Sequence, residues 1–208
     1  MTIVMQAMGP TMPGTVVLDK IAEACNNKIN AEEAKQVANK KKKRTCQKLG
    51  QDKHACCEEE IQKHRDANPE NGDPPIEGEK AYNRPRFDSN GDPVQPVNTA
   101  TVAISRGQAI TNAINSLPAG ADAAAKSAAI GRALAGLVFP DAAVLGPPPP
   151  PQSKTFVDFK FACPASHRSK RKSTQANYRP PSQSPGQEAA HNALGQATGG
   201  QTTATILF

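Results

Sequence analysis

Tryptophan is absent from this sequence, and aromatic residues make up only 4% of its 208 positions. Hydrophobic residues reach 37%, so the chain has little material for a large core. No stretch approaches the roughly 18 consecutive apolar residues of a membrane-spanning helix, and we predict no membrane span. Met1 to Met12 has neither a basic region nor a continuous apolar core, so we also predict no secretory signal peptide.

Cysteine occurs in an odd number, five, and at irregular spacing. Such a set argues against a disulfide framework in a chain of this length, so we expect free thiols and a reducing compartment. The cluster of Cys46, His54, Cys56 and Cys57 raises the alternative of a zinc site. Because the cluster contains no Cys-x-x-Cys pair, buried thiols that act as small hydrophobic residues are the favoured interpretation.

Proline and glycine, by contrast, are abundant, with 19 and 15 residues, and they indicate much irregular structure. Domain sizes cluster in a narrow range, so we expect one ordered core of about 130–150 residues with long loops. The predicted organisation is a flexible lead-in over 1–14 and a single domain over 15–208. That domain comprises N-terminal helices over 15–66, a long loop over 67–100 and a core segment over 101–208.

The apolar residues recur at helical spacing in several segments. They predict helices over 16–28, 31–43, 51–65, 101–117, 122–138 and 187–194. Asn30 and Glu33 form a capping signal for the second of these helices. Pro-, Gly-, Asn- and Asp-rich turn signals make 68–99 a loop, and the β-rich run from Thr202 to Phe208 predicts a last strand.

Positive charge is in excess, with a formal net charge of +6 and an isoelectric point near 9.1. This balance suits a partner that carries phosphates, such as a nucleic acid. Two basic clusters could contact its backbone: Lys41 and Lys43 within the run 40–44, and the group Arg168, Lys170, Arg171 and Lys172. The alternative is that both clusters are solvated surface segments.

Two short strand-like runs stand out, one after Pro140-Asp141 and one over Thr155 to Phe161. The stiff proline run 147–151 between them favours a hairpin. Alternation in the second run places Asp158 and Lys160 on one face, about 6–7 Å apart along the strand. Carboxylates hold hard cations, and a nearby ammonium favours a water that loses its proton, so this pattern suits a divalent metal beside a phosphate.

The motif Pro140-Asp141, a gap of sixteen residues and then Asp158-Phe159-Lys160 resembles the PD-(D/E)XK nuclease superfamily. The resemblance covers roughly residues 100–208. It implies an α/β (α+β) fold with a restriction-endonuclease-like core: a small mixed central sheet flanked by helices, here with N-terminal helices and long Pro/Gly-rich loops. The phrase from Asp158 to Pro164, followed by basic residues and a Gln-led helix, is similar to the C-terminal nuclease domains of polymorphic toxins and type VI secretion effectors.

The same resemblance implies the members of the site. Asp141 and Asp158 would bind Mg²⁺ or Mn²⁺, and Lys160 would position or deprotonate the attacking water. Relatives commonly add an acidic residue from an early helix, for which Glu60 is the candidate, since it lies nearest the centre of the apolar stripe of its helix. Gln187 opens the last helix as a further catalytic residue, although the relatives' Gln-x-x-x-Tyr pattern carries His191 at its final position here.

The expected function is therefore a metal-dependent endonuclease, a DNase that acts as an antibacterial effector toxin. The resemblance implies a cognate immunity protein and a secretion-system carrier or larger toxin chain. It further implies export without a signal peptide and action in the cytoplasm of a target bacterium. Two alternatives stay open: a non-catalytic basic domain that binds nucleic acid or protein, and an RNase on the same fold.

Overall fold

The computed structural model describes residues 13–67, 76–90, 94, 105–146, 154–167, 185–198 and 204–207. These segments form an α+β fold. Its helices are α1 (Pro13–Ala38), α2 (Cys46–Ala67), α3 (Arg106–Asn115), α4 (Ala123–Leu134) and α5 (Pro185–Ala197), with a 3-10 turn at Ala165–His167. Its strands are β1 (Ile76–Gly78), β2 (Tyr82–Asn83), β3 (Leu137–Val138), β4 (Ala142–Leu145), β5 (Lys154–Lys160) and β6 (Ala204–Leu207). None of the helices in these segments combines the length and apolar character that a membrane crossing requires.

A mixed four-stranded sheet organises the fold, in the order β1-β4-β5-β6. The β1–β4 and β4–β5 pairs are antiparallel, and β6 runs parallel to β5. In the β4–β5 pair, Ala142 lies opposite Val157 and Leu145 opposite Lys154. The predicted hairpin and the predicted last strand are both confirmed. A separate two-stranded sheet pairs β2 with β3.

Helices cover both faces of the four-stranded sheet. On one face, α1 and α2 bury a cluster that includes Leu18, Ile61 and Phe159. On the other face, Phe156 packs with Leu194 of α5 and lies edge-on to the Tyr82 ring, with centroids 5.0 Å apart. Each fully buried side chain of this size contributes about 1.5–3 kcal/mol, so a few aromatic residues suffice where tryptophan is absent.

The N-terminal region is one continuous helix, whereas the sequence predicted two helices with a start at Asn30. The Asn30 amide donates to the Asn26 side chain at 3.2 Å within the helix, and no proline or glycine interrupts the segment from 15 to 38. Glu33 does not cap a helix start at Asn30, because its carboxylate binds the guanidinium and backbone N–H of Arg44 and the ring of His167 instead. The long-range ion pairs therefore overrode the local capping signal.

Helix α4 begins at the cap residue Asp122 but ends at Leu134, so the prediction of a helix through Val138 is wrong. Gly136 adopts a φ of +72°, a conformation that glycine reaches without strain. The chain then turns into β3, where Val138 pairs with Tyr82. Leu137 and Val138 continue the apolar stripe of the helix in sequence, which is why the pattern did not reveal the break.

The predicted long loop over 67–100 contains two short strands that the sequence did not reveal. Ile76–Gly78 forms the edge strand β1 against β4, and Tyr82–Asn83 forms β2. Strands of two or three residues exist through their hydrogen-bonded partners and carry almost no alternating pattern of their own. The remaining segments of this region, 68–75, 91–93 and 95–100, lie outside the described residues, as do the lead-in 1–12 and the proline run.

Four of the five cysteines form disulfides, so the prediction of free thiols is wrong for all but the buried Cys57. Cys25–Cys56 links α1 to α2, and Cys46–Cys163 links the start of α2 to the segment after β5. The pairs are 31 and 117 residues apart, and such long-range pairing cannot be read from spacing. Because the two disulfides take up Cys25, Cys46, Cys56 and Cys163, they leave no cysteine cluster for zinc.

A buried ion-pair network fixes the connection between α1 and α2. The Glu33 carboxylate, only 2% exposed, receives the Arg44 guanidinium at 2.7 Å and the His167 ring at 2.7 Å. Arg44 also contacts Asp52 of α2 at 2.8 Å. Hydrogen bonds from Arg44 above all, and from His167, lower the pKa of Glu33 to about 2. The network thereby ties α1, α2 and the turn after β5 into one unit.

We expect Glu33→Gln to weaken the fold at neutral pH by roughly 3 kcal/mol, because it removes one partner of a buried charged network. The pKa of Glu33 lies below the ordinary value of 4.5, so its contribution is complete above pH 4.5 and disappears as pH falls through about 2. Urea denaturation at several pH values measures both effects, with the exposed Glu32→Gln as control. An acid-induced loss of stability as steep in Glu33→Gln as in the native protein would contradict this role.

Candidate active site

A cleft of about 670 Å³ opens at one end of the two central strands of the four-stranded sheet, where β4 begins and β5 ends. Helix α2, the segment after β1, the start of α3 and the start of α5 form its walls. Polar and charged side chains dominate its lining, including those of Gln51, His54, Glu58, Glu79, Arg106, Asp141, Asp158, Lys160 and Gln187. The cleft therefore gathers residues from elements that are far apart in the sequence.

Strand register brings Asp141 to this cleft. Ala142 lies opposite Val157, so the residue before β4 lies beside Asp158 on the neighbouring strand. The Asp141 carboxylate accepts the Phe159 backbone N–H at 2.6 Å through Oδ2. Its Oδ1 lies 3.2 Å from Nδ1 of His54, which comes from α2. These two contacts on opposite oxygens fix the plane of the carboxylate.

Asp158 and Lys160 lie on the same face of β5, as the alternation predicted. The Lys160 ammonium lies 2.5 Å from Oδ2 of Asp158. The side-chain amide of Gln187, in the first turn of α5, donates to Oδ1 of Asp158 at 3.4 Å. The structure thus brings together Asp141, Asp158, Lys160 and Gln187, while their chemical roles stay predictions.

The two aspartates interact strongly. Burial, and then the neighbouring Asp141 carboxylate, raise the pKa of Asp158 to about 7. Burial also opposes the ionisation of Asp141, but the hydrogen bond and charge of His54 prevail and hold its pKa below the ordinary value. For His54, burial opposes the charged ring and the Asp141 contact outweighs it, so its pKa is raised. Near neutral pH the carboxylate pair therefore tends to retain one proton.

This donor set fits a hard divalent cation. Oδ2 of Asp158 is buried, and the Lys160 ammonium lies against it. Mg²⁺ favours carboxylate oxygens and commonly takes only one or two from the protein, with waters and substrate phosphates completing its shell. Within the described residues, no three His, Cys, Asp or Glu side chains are grouped closely enough to hold an ion. The candidate ligands are the two carboxylates that β4 and β5 bring together, Asp141 and Asp158.

The structure does not bring Glu60 into the cleft. Its side chain is 37% exposed and pairs with Lys63 at 2.9 Å. The face of α2 that lines the cleft is instead the polar stripe Gln47, Gln51, His54 and Glu58. Glu60 borders the apolar stripe of α2, which packs on α1 and the sheet. The prediction assumed that this stripe faces the metal, and it therefore selected the wrong face of the helix.

Sequence reasoning missed three of the cleft residues: His54, Glu58 and Glu79. The first two could have been found, because Gln47, Gln51, His54 and Glu58 recur every three or four residues and so form a polar stripe. Glu79 follows the unrecognised strand β1, and its carboxylate accepts the backbone N–H of Arg106 at 3.0 Å. Burial raises the pKa of Glu79, and the negative charges of Asp141 and Glu58 add to this effect.

The basic clusters lie elsewhere or outside the described residues. Lys41 is exposed, and Lys43 donates to the Ser166 carbonyl at 3.2 Å, in the α1–α2 connection and away from the cleft lining. The second cluster, Arg168, Lys170, Arg171 and Lys172, lies outside the described residues. Contact with nucleic acid stays a prediction for both clusters.

Comparison of the chain with protein-family models, curated proteins and solved structures finds no match. The functional assignment therefore depends on the cleft itself. Its distinguishing feature is a pair of close carboxylates with a lysine and an amide against one of them. Such a crowded, charged arrangement costs folding stability, and residues that do so often serve function.

We expect Asp158→Asn to make the protein more stable at pH 8 by about 1 kcal/mol or more, because the variant removes one of two crowded carboxylates. The pKa of Asp158, near 7, exceeds the ordinary 3.8, so the native protein loses stability as pH rises through about 7. The variant lacks this loss. Thermal unfolding from pH 5 to pH 8 measures it, with the exposed Asp66→Asn as control, and a destabilised Asp158→Asn at pH 8 would contradict the crowding.

Proposed function

We propose that the protein is a metal-dependent nuclease that hydrolyses phosphodiester bonds in DNA. The observation that carries the proposal is the convergence of Asp141, Asp158 and Lys160 in an open cleft, with Gln187 bonded to Asp158. The mixed four-stranded sheet with helices on both faces agrees with the restriction-endonuclease-like core that the sequence motif implies. We also propose that the chain belongs to the PD-(D/E)XK superfamily.

Asp141 and Asp158 would hold Mg²⁺ or Mn²⁺ between the two strands. Such a cation polarises a phosphoryl oxygen and lowers the pKa of bound water. The protein prepares this arrangement by fixing Asp141 from both sides, through the Phe159 N–H and the His54 ring. Gln187 restrains Asp158 in the same manner. These supporting contacts orient the carboxylates before any ligand arrives.

Lys160 supplies positive charge at the reacting position. Its side chain is only 15% exposed and its ammonium lies against Asp158, so the charge is held beside the carboxylates in a partly desolvated environment. Charge that develops on a phosphate is stabilised more strongly by a fixed cation in such surroundings than in water. In this scheme Lys160 orients the attacking water and offsets the charge of the transition state, and Gln187 contributes a hydrogen-bond donor.

We further propose that the nuclease acts as an antibacterial effector toxin, delivered by a type VI or related system and neutralised by an immunity protein. The similarity of the segment 158–164 to toxin nuclease domains supports this part of the proposal. The disulfides are compatible with delivery across an oxidising compartment, in which they would form and persist.

We expect Asp158→Ala and Lys160→Ala each to reduce cleavage of supercoiled plasmid by about a hundredfold or more, because each removes fixed charge at the reacting phosphate. Gel assays with and without Mg²⁺, and with total RNA in parallel, measure the loss and separate DNase from RNase activity. Lys63→Ala is the matched control, since Lys63 is exposed and pairs with glutamates outside the cleft.

Cleavage that survives in both purified variants would reject the assignment of the site. Activity that EDTA leaves unchanged would reject the metal requirement. The non-catalytic alternative predicts binding without any cleavage, and the same gels would then show intact plasmid in every lane.

We expect expression of the native protein in the bacterial cytosol to arrest growth, and expression of Lys160→Ala at the same level to be tolerated. The physical reason is that only the native protein degrades the host's DNA. Colony counts and the integrity of extracted chromosomal DNA provide the measurement. Harmless expression of an enzyme that is active after purification would instead point to a role in repair or restriction.

A further inference from the structure

A second cavity of about 490 Å³ adjoins the candidate active site. The two cavities share three lining residues, Arg106, Phe139 and Gln187. Phe139 lies two residues before Asp141, and Gln187 is bonded to Asp158, so the shared wall is also a wall of the carboxylate site. A ligand bound at the aspartates could therefore extend directly into the second cavity.

The second cavity differs in character from the cleft. The end of α4 and strand β3 give it an apolar side, formed by Leu134, Leu137, Val138 and Phe139. Its opposite side comes from α5 and includes His191, which is buried. Burial lowers the pKa of His191 to about 4, so this ring is neutral at physiological pH. Among the described residues, the lining of the second cavity contains no carboxylate, whereas that of the cleft contains several.

Two exposed arginines supply the positive charge of this cavity, Arg84 and Arg106. The backbone of Arg84 donates to the Gly136 carbonyl at 2.8 Å, and the backbone of Arg106 donates to Glu79 at 3.0 Å. These bonds hold both residues at the rim while leaving the guanidinium groups out of any ion pair with the described residues. Guanidinium groups in this state are well suited to bind phosphate.

We propose that the second cavity binds an unpaired nucleotide adjacent to the scissile phosphate, and that the enzyme therefore prefers single-stranded DNA. The base lies against Phe139 and the neighbouring leucines, and Arg106 binds the phosphate between the two cavities. This inference depends on the proposed nuclease function and specifies its substrate.

The lining of the second cavity determines which groups can enter it. Base–aromatic stacking is favourable for every base, because each has a π-face, and an apolar pocket beside a cationic rim accepts both parts of a nucleotide. A base inside a duplex reaches such a pocket only after it is unpaired and unstacked, which costs a few kcal/mol. A single strand avoids that cost and binds more tightly.

Fluorescence anisotropy in EDTA tests the inference without cleavage. The native protein is titrated with a labelled twelve-nucleotide DNA strand and with the same strand in a duplex. We expect the single strand to bind at least tenfold more tightly. Phe139→Leu and Arg106→Gln should each weaken single-strand binding about tenfold, and Arg86→Gln should leave it within twofold, since the exposed Arg86 lines neither cavity.

The variants are chosen to remain folded, which thermal unfolding verifies. Leucine keeps the apolar bulk of Phe139 but removes the π-face, and the exposed Arg106 side chain forms no ion pair with the described residues. Equal binding of single strand and duplex, or unaltered single-strand binding by both variants, would overturn the inference.

A parallel cleavage assay with Mg²⁺ separates the two proposals. Equal rates of cleavage for single-stranded DNA and for duplex plasmid would refute the nucleotide pocket but not the proposed nuclease function. Absence of cleavage with any divalent metal would refute the nuclease, whatever the binding data show.

Discussion

The antiparallel register of β4 and β5 is the constraint on which the candidate site depends. It places Asp141 beside Asp158, and the Phe159 N–H then locks Asp141 in position at 2.6 Å. A slip of one residue would turn Asp158 and Lys160 to the opposite face of the sheet, toward α1 and α2. Phe156 and Phe159 prevent such a slip, because each is buried on its own side of the sheet and would exchange environments. The packing of the core and the geometry of the site thus require the same register of β4 and β5.

A disulfide and a buried ion pair next to the cleft offset the destabilising effect of its crowded carboxylates. Two close carboxylates oppose folding, and the core that supports them has few aromatic side chains, among them Tyr82, Phe156 and Phe159. Directly after Lys160, however, the chain is fastened twice: Cys163 is bonded to Cys46, and His167 binds Glu33. A crosslink that closes a loop of more than 100 residues stabilises a fold by several kcal/mol, chiefly through the unfolded state. The segment that directly follows the site is therefore held at two points.

Local pattern predicted the parts of the site that depend on local geometry. The alternation of β5 placed Asp158 and Lys160 correctly, and the stiff proline run correctly indicated a hairpin. The errors concern relations between distant segments. To reject Glu60, the prediction would have required the rotation of α2 about its own axis. To find Glu79, it would have required strand β1, whose three residues form a strand only through pairing with β4. The disulfides likewise join cysteines that only the tertiary fold brings together.

Helix α2 transmits these distant constraints to the carboxylates of the candidate site. Cys56 is bonded to Cys25 of α1, and this bond fixes the rotation of α2 against its neighbour. His54 is two residues before Cys56 and so lies on nearly the opposite face of the helix, which is thereby directed into the cleft. The centroid of its ring is 5.2 Å from that of Phe161, and its Nδ1 is 3.2 Å from Oδ1 of Asp141. The orientation of Asp141 is consequently set by two independent structures, the hairpin through Phe159 and the crosslinked helix through His54. A carboxylate held from both directions has little freedom to reorganise, which is the property that tight, repeatable positioning of a cation and a phosphate requires.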